Sequence, residues 1–152
     1  MSNEALTTVA WEPVAGIDRP CGSMSFSYTD QTLVVVMHFV RPELGKEWDL
    51  RLEFSRVLAV RWENECPGLE DYPNNMACLE EGVTFPLQKV FGSEWLNLLG
   101  TIHSIRDRPH AHFLLVASDD LMQLIALDNP RVEWVPTEWV PRGAMTSLYP
   151  GR

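Results

Sequence analysis

Positive charge is what this chain has least of. Only two of its 152 residues are lysine (Lys46 and Lys89), and its 12 basic residues face 21 acids, for a formal net charge of -9. Phosphate recognition depends on clustered Lys and Arg, so this balance argues against DNA or RNA as a partner, and equally against docking on an anionic membrane. Cysteine is scarce as well: Cys21, Cys66 and Cys78 make an odd set with no C-x-x-C pair, which leaves neither a disulfide framework nor a structural zinc site to expect. Long hydrophobic runs are missing, and Leu33–Met37 is far too short to span a bilayer. Met1–Ala5 has no basic n-region or apolar h-region. The expectation is a cytoplasmic protein with no membrane association. Glycine-rich phosphate loops of either common kind are absent, as is G-x-S-x-G, and no cofactor is expected.

Apolar residues form 45% of the chain and charged residues 22%, values that suit a globular core rather than a disordered segment. One domain spanning residues 1–152 is expected, without repeats or linkers. Six tryptophans are many for this length, and their large apolar area implies that the core or an interface rests on several of them.

Hydrophobic periodicity points to strands. Met24, Phe26 and Tyr28 alternate with Ser23, Ser25 and Ser27. The polar Thr29-Asp30-Gln31 and the β-branched run Leu33–Val40 come next, which predicts an antiparallel hairpin. Trp48, Leu50, Leu52 and Phe54 share one parity, continued by Leu58, Val60 and Trp62. This predicts one long bent strand, or two strands meeting near Ser55-Arg56. Ser93 as N-cap, the spacing of Trp95, Leu96, Leu98 and Leu99, and Gly100 as a stop predict a short helix. Residues 111–117 and 121–127 flank Ser118-Asp119-Asp120 as a second hairpin, with Val132 and Trp134 in a closing strand. The tail 136–152, with three prolines and two glycines, reads as loose. The expected fold is therefore α+β, an antiparallel β-rich single domain with two hairpins, a long bent strand and one short helix.

The chain's strongest functional signal lies between Arg61 and Lys89, where six acids (Glu63, Glu65, Glu70, Asp71, Glu80, Glu81) occur without a single Lys or Arg. Turn-forming Pro67-Gly68, Tyr72-Pro73 and Asn74-Asn75 mark residues 63–81 as an excursion between regular elements. Such a stretch attracts basic protein surfaces. With Tyr72, and with Trp139 from the tail, these acids are the candidate partner-binding residues. Paired carboxylates (Glu63/Glu65, Glu80/Glu81) beside tryptophan also suit a carbohydrate cleft, the basis of an alternative reading as a small-ligand binder or minor hydrolase. A structural homo-oligomer with tryptophans packed between subunits is a third.

Other chemistry has thinner support. His110-x-His112 puts two imidazoles on one strand face, a beginning of a metal site that needs a third ligand from Asp107, His103 or the acidic stretch. Ser104 with His38 or His103 and an acid assembles a hydrolytic triad only on paper. Cys66 and Cys78 stand beside negative charge, which raises a thiol pKa and blunts nucleophilicity.

The pattern Phe54-x-x-Val57-x-Ala59-Val60-Arg61-Trp62-Glu63, then Ser93-Glu94-Trp95-Leu96, His112-Phe113-x-Leu115 and Ile125-Ala126 resembles small uncharacterised bacterial proteins of the kind found among polymorphic-toxin immunity proteins. The resemblance covers about residues 48–127 and implies a non-enzymatic binding module that neutralises a basic partner through an acidic surface. It carries over no functional residue.

Overall fold

The computed structural model describes residues 6–41, 46–64, 76–80, 83–95, 110–118 and 120–137. These residues form eleven strands: β1 (Thr7–Ala10), β2 (Ser23–Thr29), β3 (Thr32–Arg41), β4 (Lys46–Phe54), β5 (Val57–Asn64), β6 (Cys78–Glu80), β7 (Val83–Thr84), β8 (Leu87–Phe91), β9 (Ala111–Val116), β10 (Asp120–Ala126) and β11 (Arg131–Pro136). A five-stranded sheet runs β1-β8-β9-β10-β5, a four-stranded sheet β11-β4-β3-β2, and β6-β7 makes a small ribbon. Every strand pairing is antiparallel.

The architecture is a β-sandwich. The two larger sheets bury one shared core, to which the four-stranded sheet gives Leu33, Val35, Met37, Phe39, Leu50, Leu52 and Phe54. The facing sheet gives Leu87, Phe113, Leu115, Met122, Leu124 and Ala126. Strict alternation on β3 and β4 places each of these on the inner face. Phe113 holds the centre, with its ring 5.2 Å from Phe54 and 4.8 Å from Trp11.

Both hairpins read from the sequence are present. Asp30 and Gln31 take positive φ (51° and 66°) between β2 and β3, the geometry of a two-residue hairpin turn whose twist matches its strands. The helical component of the expected α+β fold is overturned: among the described residues only Glu94 and Trp95 are helical, and residues 96–100 lie outside them. Ser93 is buried at the end of the β8 connection. The signals N-cap, apolar spacing and glycine stop are local, and here strand pairing dominates the described chain.

The long bent strand is also corrected. Residues 46–64 form β4 and β5, which belong to different sheets. Arg56, at φ 50°, turns the chain from one layer to the other, and its guanidinium pairs with Asp128 at the end of β10. Parity persists through this corner because both strands face the same core. The acidic excursion is not wholly irregular: β6 occupies its C-terminal end and pairs with β7 just beyond it. The tail from 138 onward lies outside the described residues.

Candidate functional site

The sandwich is open along one side. Strand β2 ends the four-stranded sheet and β5 ends the five-stranded sheet, and among the described residues no further strand continues either sheet past them. Phe26 and Tyr28 come from β2, and Val60 and Trp62 from β5. All four point toward the interior by parity, yet they are 41%, 52%, 36% and 44% exposed. The Phe26 and Trp62 rings bridge the two sheets at 5.7 Å, tilted by 56°. Beside them lies a groove of about 280 Å³ lined by Phe26, Tyr28, Leu33 and residues 57–60. Among the described residues its lining carries no ionisable side chain other than the Tyr28 phenol. The Gln31 carbonyl accepts from the Val57 N–H at 3.1 Å, which ties the β2–β3 turn to the start of β5 and fixes one end of this mouth.

Apolar side chains in that position follow from the sequence pattern. An alternating strand carries its hydrophobic set inward whether or not a neighbour covers it. On central strands the set becomes core, while on β2 and β5 it becomes an exposed patch. Contiguous aromatic exposure of this kind marks interaction surfaces, and Trp and Tyr are the side chains that most often anchor them.

The candidates from the sequence fall elsewhere. Glu63 lies on the outward face of β5 with its carboxylate paired to Arg61. One Glu63 oxygen is buried without a hydrogen-bond partner among the described residues. Glu80 stands on β6 in the ribbon and is exposed. Glu65, Glu70, Asp71, Tyr72, Glu81 and Trp139 lie outside the described residues, as do His103, Ser104, Asp107 and Cys66. Trp62, which parity assigns to the core, was missed as a surface anchor. Its alternation with Arg61 and Glu63 showed which way it faces but not that β5 is an edge.

His112 is buried on the outer face of the five-stranded sheet. Its Nε2 pairs with Gln123 Oε1 at 3.0 Å, and Trp95 packs edge-on at 5.3 Å between ring centroids. Burial pushes its pKa down to about 4, against a smaller opposing effect of the Gln123 hydrogen bond. His110 precedes β9 and is half-buried. Among the described residues no group of three or more His, Cys, Asp or Glu side chains assembles that could hold a metal ion.

A second polar arrangement lies on the outer face of the four-stranded sheet. His38 Nδ1 meets Asp49 Oδ1 at 2.8 Å, Thr137 Oγ1 donates to the same oxygen at 2.9 Å, and Ser23 stands opposite His38 in the β2–β3 register. Hydroxyl, imidazole and carboxylate thus share one row. Ser23 sits in strand backbone, whereas acyl transfer requires a nucleophile on a strained turn with N–H donors aimed at the developing oxyanion. The row is cross-strand pairing on a sheet face.

Cys21 is buried, its thiol donating to the Ser23 and His38 carbonyls at 3.1 and 3.4 Å. Burial pushes this thiol up to about 12, so it holds no nucleophilic thiolate near neutral pH. No helix of the described residues is long and apolar enough to cross a membrane. No protein-family model, curated protein or solved structure matches this chain.

Proposed function

We propose that this protein is a non-enzymatic protein-binding module that works through the open mouth of its sandwich, between β2 and β5. The observation that carries this reading is the bridging pair Phe26–Trp62, half-exposed and flanked by Tyr28 and Val60. Aromatic anchors at the centre of a patch supply most of the energy of a protein interface, and surrounding charges tune encounter rate and partner choice.

A small polar ligand is a poorer fit. Ligand pockets enclose their guest and aim several polar groups at it, whereas this groove is apolar and lies along a sheet edge. The charge of -9 and the acid run that begins on β5 at Glu63 favour a basic protein. Such a partner is what the immunity-like resemblance implies.

The test is capture from native cell extract on immobilised wild-type protein and on the double variant Phe26→Ala/Trp62→Ala, at low and high salt. A basic protein retained by the wild type, released by salt and lost with the variant supports the reading. Equal capture by a folded variant refutes the mouth as the docking surface.

A further inference from the structure

Among the described residues the sheets end at β1, β5, β11 and β2, and three of these carry the devices that keep edges from pairing with another chain. Strand β1 is only four residues long. Strand β11 bears Arg131 and Glu133 and ends at Pro136. Strand β5 bears Arg61 and Glu63, and its register with β10 shifts at Ile125/Ala126. Strand β2 has none of them. Its seven residues, Ser23–Thr29, hold no charge and no proline, and pair with β3 in unbroken register.

The same strand is self-complementary. In antiparallel pairing about Phe26, Phe26 meets Phe26 of the other copy and Met24 meets Tyr28. Ser25 then meets Ser27, and Ser23 meets Thr29. Hydroxyl faces hydroxyl and apolar faces apolar at every step, the pairs that stabilise antiparallel ladders. Opposed residues share parity in this register, so the aromatics of both copies remain on the inner side and the serines on the outer.

We infer that a second copy of this chain occupies the mouth, pairing β2 with β2 about a two-fold axis at Phe26 and joining two four-stranded sheets into one of eight. The inference rests on the reading of this edge as a docking surface and adds a homotypic occupant there, which a basic partner would have to displace. A two-fold interface uses the same patch on both subunits, and a strand palindromic in chemistry is such a patch. Copies that each carry -9 repel at long range, but β2 sets no like charges opposite one another, so it is the edge where two copies can meet. Exposed portions of Phe26, Tyr28 and Trp62 on both copies amount to roughly 500 Å². Paired backbone, Met24, Val60 and the serines bring the total toward the roughly 1,000 Å² that a specific interface requires.

Sedimentation equilibrium of the intact chain tests this with two variants at exposed serines, which leave the core untouched. Ser25→Glu/Ser27→Glu places like charges opposite each other twice, and Ser25→Lys/Ser27→Glu places opposite charges there. The expected result is a wild-type dimer that tightens as salt rises. The first variant should then dissociate at least 10-fold more readily, and the second should remain dimeric. A monomeric wild type at every concentration, or equal effects of the two variants, overturns the inference. A monomeric wild type that still loses its basic partner on Phe26→Ala/Trp62→Ala overturns the dimer alone and leaves the docking surface standing.

Discussion

His112 should make this protein sensitive to acid in a defined window. The folded state holds the ring neutral, with its pKa lowered from 6.5 to about 4 by burial. The unfolded chain binds the proton more readily, so stability is complete above pH 6.5 and declines as pH falls toward 4. Linkage over this interval gives a loss of about 1 kcal/mol at pH 5.5 and about 2–3 kcal/mol at pH 4.5, relative to neutral pH. Carboxylates also titrate at the lower end, so the contribution of His112 is read as a difference between wild type and His112→Gln. That variant leaves an amide able to face Gln123 but has no proton to gain. Urea unfolding at pH 7.5, 5.5 and 4.5 measures it. The wild-type curve should fall relative to the variant by about these amounts. A difference that stays constant from pH 7.5 to 4.5 refutes a buried, neutral His112.

Other expectations come from the packing. Phe113→Ala removes the ring that contacts Phe54 and Trp11, and should cost about 3–5 kcal/mol in urea unfolding. Trp62→Ala should cost about 2–3 kcal/mol, less than a fully buried tryptophan because 44% of its surface is exposed, and should reduce partner capture; unchanged capture by the folded variant would contradict its role as an anchor. In a Cys66→Ser background, a thiol reagent should modify Cys78 rapidly and Cys21 only on unfolding, because Cys78 is exposed and Cys21 buried. Fast labelling of both in the folded protein would show that Cys21 is accessible. Reversing charge at Glu70, Asp71, Glu80 and Glu81 should slow association with a basic partner strongly at low salt and little at high salt, as read by stopped-flow mixing.

Alternation made most of the strands legible in the sequence. Ser23–Tyr28 and Trp48–Phe54 declared their period of two, Leu33–Val40 a β-branched run, and residues 111–127 two apolar segments about a polar turn; each of these segments holds a strand. Short strands such as β1 and β6–β8 carry too few residues for a period to show. The corner at Arg56 was hidden because apolar parity continues on either side of that one polar residue, and a side chain facing the core looks the same from either sheet of a sandwich. That ambiguity also hid the candidate site. Phe26, Tyr28, Val60 and Trp62 share the pattern of Val35 and Leu52, and what separates them is whether the strand has a neighbour, which long-range pairing decides. The acids were conspicuous by composition, yet composition fixes neither face nor neighbours: Glu63 turns outward to Arg61, away from the mouth. Of the expected helix only Glu94 and Trp95 are helical among the described residues, and residues 96–100 lie outside them; its capping and spacing signals are local and say nothing of the sheets that make up the rest of the described chain.

Amide hydrogen exchange across Ser23–Thr29 and Val57–Asn64 shows whether the mouth between β2 and β5 is the docking surface, comparing dilute protein with protein at high concentration or bound to its captured partner. Added protection is expected on β2, and on β5 around Val60 and Trp62, with β1 and β11 unchanged. Protection gained at β1 or β11 while β2 exchanges as before would contradict it.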